Sequence, residues 1–250
     1  MKERIKRIER VERNKKLYEK YGKWVLLHNA WTGELPEEEE RMFEFSVYDE
    51  LPSGWAKAFG MEMIDELGKE IDKVGVRDKY YTTQIKEKFG SLRWYDNGTT
   101  KEMDHIISKY NHLSSHICIC CGRPDVGTTS DWITPMCEDC YGKTYHMKNK
   151  SPEEVHKAYI GEVGPYNYIE KKKGADYYNF FNRMPNDYIV RQYGLDCSYE
   201  KVYDIHETAD MIRRKWNDEH PDDTTPLSDN FIIPPLPKKK KKEKIKFDFF

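Results

Sequence analysis

The apolar positions of the chain fall into periodic stretches separated by turn-forming residues. Ile5, Ile8, Val11 and Leu17 recur at roughly helical spacing among Lys, Arg and Glu, which predicts a charged amphipathic helix over residues 2–22. Gly33 and Pro36 break that pattern, and Glu37 to Glu40 form a short acidic run of the kind found in linkers and helix starts. Phe43, Phe45 and Val47 alternate with polar residues, which predicts a short strand. After the turn at Pro52-Ser53-Gly54, Ser53 is placed to cap a helix from about Trp55 to Lys73. Its apolar stripe is Phe59, Met63, Ile64, Leu67 and Ile71.

The period then switches to two. Tyr80 to Tyr95 is rich in β-branched and aromatic residues, with Gly90 at a bend and Asp96-Asn97-Gly98 as a second turn, which predicts a hairpin. Ile85 and Phe89 are expected on one face of its first strand, with Lys86 and Lys88 on the other. In the second strand Leu92 and Trp94 share a face opposite Arg93 and Tyr95. Thr99-Thr-Lys-Glu102 reads as a capping box. The helix it opens carries Met103, Ile106, Ile107, Tyr110 and Leu113 on one side and ends near Ser114-Ser115. Further on, Ser151-Pro-Glu-Glu154 starts a short helix that stops by Gly161. Ser198 opens another to about Trp216, with Val202, Ile205, Ala209, Ile212 and Trp216 on one side. The segment from Asp187 to Tyr193 packs against it as a second helix or forms a helix-turn-helix with it. These elements predict an α+β fold: a small hairpin sheet, amphipathic helices and a helical C-terminal part.

Composition adds one qualification. Of 250 residues 38% are hydrophobic, 34% charged and 14% aromatic, so a core can form but some of the chain is expected to be solvated tail or linker. The net charge of −2 gives no global attraction to nucleic acid, yet the charge is uneven. The first 23 residues carry ten Lys/Arg against four Glu, and the last thirteen include seven lysines. No segment reads as a membrane span or a signal peptide, so a cytoplasmic protein with reduced cysteines is expected.

The chemistry concentrates between the hairpin's helix and residue 140. Cys118 and Cys121, then Cys137 and Cys140, follow the pattern C-x2-C-x15-C-x2-C. Two cysteines three positions apart on a tight turn can aim both sulfurs at one ion, and two such turns supply the four thiolates of a structural zinc ribbon. One structural Zn2+ is therefore expected, with its shell closed and no open position for catalysis. Gly122 suits a turn that needs positive φ, and Arg123 and Lys143 are placed to offset thiolate charge. Cys120 provides an alternative register, and His116 or His146 an alternative ligand. Disulfide or redox roles are weaker readings for paired C-x-x-C turns in a chain without a secretory signal. Trp132, between the knuckles, is expected in the ribbon's core, and Cys197 as an idle thiol.

Several of these residues together resemble a known family. Gly54-Trp55 before a helix, Gln84-Ile-Lys-Glu-Lys-Phe-Gly-Ser-Leu-Arg-Trp-Tyr95, a helix ending in serine before Cys-x-x-Cys-Gly, then Trp132 and a second knuckle are similar to a family of small uncharacterised tailed-phage and prophage proteins. The similarity spans roughly residues 52–142. Many relatives close the second knuckle with Cys-x-x-His, where this chain has Cys140. The resemblance implies a phage-type origin, hence the host cytoplasm, and a small α+β zinc fold. It implies no activity.

The chain thus divides into a basic helix and acidic linker over 1–40, an α+β zinc-ribbon domain over 41–147, a helical region over 148–218 and a flexible Pro/Lys-rich tail over 219–250. Lys86, Lys88 and Arg93 form a cationic strand face that is either simply solvated or binds nucleic acid or a partner. The tail ends in Ile245, Phe247, Phe249 and Phe250, apolar groups that are costly unless something receives them. It resembles the C-terminal peptides by which phage polymerases and late-transcription factors grip a sliding clamp, with Ile245 one place out of register. Folding back on the domain and nonspecific nucleic-acid contact are the alternatives. The function expected is a non-enzymatic accessory protein that binds nucleic acid or a nucleic-acid-processing complex. A zinc-stabilised nuclease and an inhibitor of a host defence enzyme are alternatives. For the nuclease, His105 and Asp104 on the amphipathic helix are expected to be surface residues, and no paired carboxylate–histidine set stands out.

Overall fold

The N-terminal helix α1 (Lys2–Tyr21) lies along the domain and delivers Leu17 and Tyr21 into its core, and the 3-10 turn that follows (Lys23–Val25) adds Trp24 and Val25. The structure is a computed structural model that describes residues 2–29, 31–129, 133–163 and 199–223. Two short helices follow, α2 (Glu39–Met42) and α3 (Val47–Glu50). A helical run then passes through α4 (Ser53–Trp55), a π-helical stretch (Ala56–Gly60) and α5 (Met61–Val74). The hairpin β1 (Thr82–Lys88) and β2 (Ser91–Asp96) leads to α6 (Lys101–Ser114). Beyond the cysteine region stand α7 (Glu138–Gly142), α8 (Pro152–Val163) and α9 (Tyr199–Glu219). The class is α+β, with one two-stranded antiparallel sheet among the described residues.

The core forms because the predicted stripes meet. Phe59, Met63, Ile64, Leu67 and Ile71 are fully buried and face Met103, Tyr110 and Leu113 of α6, with the Phe59 and Tyr110 rings stacked 5.2 Å apart. Ile85, Leu92 and Trp94 close it from the hairpin, and Ile205, Ala209 and Ile212 from α9. Side chains from α1, α3 to α6, the hairpin and α9 therefore share one apolar cluster. At about 25 cal/mol per Å² of apolar surface, this burial is the main force holding the helices to the sheet.

Three expectations about strands and helix starts fail. Residues 43–47 are not a strand. Ser46 N donates to Asp49 Oδ2 at 2.9 Å, one half of a capping box that starts α3, and pairing is confined to a single bridge between Leu26 and Ser46. Asp49 is held in turn by Arg13 and Asn14 of α1. Ser53 does not cap its helix: its hydroxyl donates to Cys120 O at 3.0 Å. The cap of α6 is Thr100, whose Oγ1 accepts from Met103 N, while the Thr99 hydroxyl donates to Asp104. Trp132, Cys197, the segment 187–193 and the tail from 224 lie outside the described residues.

No helix among the described residues is long and apolar enough to cross a membrane.

Candidate metal centre and hairpin face

The first knuckle is built on α4. Gly54 N donates to Ile119 O at 2.9 Å, and Trp55 Nε1 donates to Ile117 O at 2.9 Å, so the chain entering Cys118 is fastened to the helix start from two sides. The contact is so close that a β-carbon on Gly54 would fall 2.1 Å from Cys118 O and 2.7 Å from Gly122 N. Gly122 has φ 91, the left-handed region where glycine carries no steric cost, and its N–H donates to Cys118 O at 2.9 Å to close the turn. Ile119 N bonds Pro135 O, and a bridge pairs Thr128 with Pro135, which brings the second knuckle alongside. Cys137 caps α7 and Cys140 lies within it.

The result is a cluster in which the sulfurs of Cys118, Cys121, Cys137 and Cys140 all lie within 4.8 Å of one another, with Cys121 and Cys137 3.6 Å apart. Tetrahedral thiolates at a metal–sulfur distance of about 2.3 Å would stand about 3.75 Å from each other, so the four residues fit a single ion. A four-sulfur set of this geometry suits zinc or iron. Hydrogen bonds from Cys120, Cys121 and Cys137 hold the Cys118 thiol well below the usual range. Its proximity, through hydrogen bonding and burial, pushes Cys137 and Cys121 up. Burial and then the charge of Cys118 take Cys140 up to about 12. A divalent cation reverses this mutual hindrance by stabilising all four thiolates together. Cys120 is exposed and outside the cluster. Neither His116 nor His146 belongs to it. Arg123 turns to Asp223 at 3.2 Å.

The hairpin places the predicted cations as follows. The register pairs Gln84 with Tyr95, Ile85 with Trp94, Lys86 with Arg93, Glu87 with Leu92 and Lys88 with Ser91. Alternation puts Ile85, Trp94 and Leu92 inward, and gathers Gln84, Lys86, Lys88, Ser91, Arg93 and Tyr95 on the outer face. No carboxylate belongs to that outer set. Lys86 Nζ lies 5.1 Å from the centre of the Tyr95 ring, and its ammonium donates to Gln84 Oε1 at 2.6 Å. Arg93 is held rather than free, donating to Ser91 Oγ at 2.7 Å and to Asn111 Oδ1 at 3.0 Å. Phe89 departs from its expected inward position. It sits in the turn with φ 54 and is exposed, with Lys88 Nζ 5.2 Å from its ring centre. The reason is the turn itself: Phe89 and Gly90 both take positive φ, which carries Phe89 out of the strand's alternation.

Two charge clusters had no signal in the sequence. Lys109 on α6 is 0% exposed; its ammonium donates to Glu66 Oε2 at 2.6 Å and lies 3.0 Å from Asp204 Oδ2, while the Tyr110 hydroxyl donates to Glu66 Oε1 at 2.8 Å. His105, expected on the surface, is buried instead, with Nε2 3.4 Å from Asp204 Oδ2, because α9 covers that side of α6. Asp104 is exposed as expected. The second cluster joins α9 to the first knuckle through Arg213 and Asp125. Ile245, Phe247, Phe249 and Phe250 lie outside the described residues.

The chain matches no family model, no curated protein and no solved structure.

Proposed function

We propose that this chain is a non-enzymatic accessory protein of phage type, held together by one structural zinc ion, that binds nucleic acid through the outer face of its hairpin. The observation that carries this reading is the charge on that face: Lys86, Lys88 and Arg93 stand together without a carboxylate, on a chain whose net charge is −2. A local excess of cations attracts a polyanion to that place even on a near-neutral protein. Zinc is the ion of choice because four thiolates close its preferred tetrahedral shell, leaving no position for water or substrate. The ribbon then acts as a scaffold. It anchors Gly90 at the hairpin tip, where a β-carbon would come within 2.9 Å of Ile133 Cγ2 and 3.1 Å of Thr128 Cγ2.

Metal analysis of the purified chain tests the first half, with one zinc per chain as the expected result and iron as the contrary one. Oligonucleotide binding across a salt series tests the second. Affinity should fall as salt rises, and the double variant Lys86→Glu, Lys88→Glu should abolish it. Binding that ignores salt would sink the reading.

A further inference from the structure

We infer that the hairpin face is a platform for single-stranded nucleic acid, with bases stacking on Phe89 and Tyr95 and phosphates held by Lys86, Lys88 and Arg93. This rests on the reading of that face as a nucleic-acid surface, and it names the form of nucleic acid.

Three observations favour an unpaired strand. The first is the aromatic content. Phe89 is 69% exposed and Tyr95 42% exposed, on a hairpin whose other aromatic, Trp94, is buried. Exposed rings interleaved with cations recognise unpaired bases, because every base offers a π-face whereas a duplex keeps its bases stacked inside. The second is spacing. Tyr95 lies opposite Gln84, and Phe89 is five residues further along, so their backbone positions are roughly 16 Å apart along the strand direction at about 3.3 Å per residue. Lys86 and Arg93 are paired between them. An extended strand can therefore set bases on the two rings and its phosphates on the cations between. The third is the hairpin's seating. A two-stranded ribbon that reads a duplex must enter a major groove about 12 Å wide. This tip is packed against Thr128 and Ile133, and Arg93 reaches back to Asn111 of α6, so the hairpin does not stand clear of the body.

The aromatic surface continues at the open end of the hairpin. There Tyr81 packs against the His28 ring at 5.3 Å and against Gly33, in the loop that also presents Trp31, 96% exposed. Asn29 Oδ1 accepts from the backbone of Trp31 and Thr32 and so holds that loop in a turn.

The test uses the full zinc-loaded chain with a fluorescent oligothymidylate of about fifteen nucleotides, within the span of known single-strand sites, and a mixed-sequence duplex of equal length. Three phosphate contacts predict a log–log salt slope of about −2 for the single strand, at roughly −0.7 per contact. Phe89→Ala should weaken single-strand binding about tenfold and leave that slope unchanged, since stacking carries no counterion term. Lys86→Ala with Lys88→Ala should flatten the slope to about −0.7. Near-UV circular dichroism of each variant checks that the fold is kept. Equal affinity for the duplex, with Phe89→Ala without effect, would overturn the single-strand inference while leaving the nucleic-acid reading standing. Binding to neither probe would overturn both.

Discussion

Arg213 on α9 grips Asp125 on the first knuckle with two parallel hydrogen bonds, Nε to Oδ2 and Nη2 to Oδ1, both 2.9 Å. The Asp125 side chain is 1% exposed and its backbone holds φ 57, a conformation that short polar residues tolerate better than others. The same knuckle sends Arg123 to Asp223, which also accepts from Trp216 Nε1 at 3.0 Å. Helix α9 is thus latched to the cysteine ribbon by charges running in both directions.

Asp125→Ala should destabilise the chain by about 3 kcal/mol, because it leaves Arg213 partly buried beside a lost partner. That corresponds to a fall of roughly 9 °C in Tm for a chain of this size. Arg213→Met should cost more, because it takes this cation from the Asp125 carboxylate, whose side chain is 1% exposed, whereas Arg213 in Asp125→Ala keeps its bond to Asp210. Thermal unfolding of the two variants checks this order, and equal effects would mean that the bidentate geometry contributes little beyond packing.

Chelation should loosen the ribbon and the end of α9 latched to it before it disturbs the contacts among α5, α6 and the hairpin. Four thiolates around one ion would position the loop that carries Arg123 and Asp125, and metal binding of this kind is worth about 10–16 kcal/mol in small peptides. Hydrogen exchange on the chelated chain should show lost protection across residues 213–219 and 117–141, with α5 and the hairpin retaining more. Uniform loss of protection would show that ribbon and core fold as one unit. Cys118→Ser should reproduce the chelated pattern.

Gly54→Ala should cost about 3 kcal/mol, at the upper end for overpacking, although alanine is the better helix former. The new methyl would meet backbone atoms of Cys118, Ile119 and Gly122, which cannot swing away as a side chain does. Metal content is the more telling readout, since the clash falls on the knuckle and should lower the bound fraction as well as Tm.

Lys109→Met should destabilise by about 2 kcal/mol at neutral pH, leaving Glu66 and Asp204 without their cation. The pH dependence has a definite sign. Burial pushes the Asp204 carboxyl up, but His105 and Lys109 together draw it below the usual range. A depressed carboxyl contributes stability that is present above its unfolded value of about 3.9 and is lost as pH falls through the folded one. The difference between wild type and Lys109→Met should therefore narrow below about pH 4. Urea unfolding of both chains at neutral and acid pH checks this, and a gap that widened in acid would contradict the assignment.

Much of the fold was legible because its signals are local. The stripe from Phe59 to Ile71 and the one from Met103 to Leu113 repeat every three to four residues, and both are buried where they meet. Gly90 marked the hairpin, and the spacing of Cys118, Cys121, Cys137 and Cys140 marked the cluster, since each depends on residues a few positions apart or on one fixed interval. The errors arose where a local pattern has two physical outcomes. Alternation at Phe43, Phe45 and Val47 suits a strand, but Ser46 and Asp49 satisfy the backbone as a helix cap, and α1 supplies the partners that hold Asp49 there.

By itself, then, the chain's sequence determined the periodic helices, the hairpin and the four-thiol cluster, whose causes lie in backbone sterics, apolar periodicity and the fixed spacing of the cysteines. Only the tertiary structure decided which charges meet. Asp125 and Arg213 are 88 residues apart, and Lys109 and Asp204 are 95. An isolated Asp or Lys carries no mark of its partner. Coulomb attraction depends on distance in space and on the exclusion of water, and both are set only when α9 settles on α6 and the ribbon.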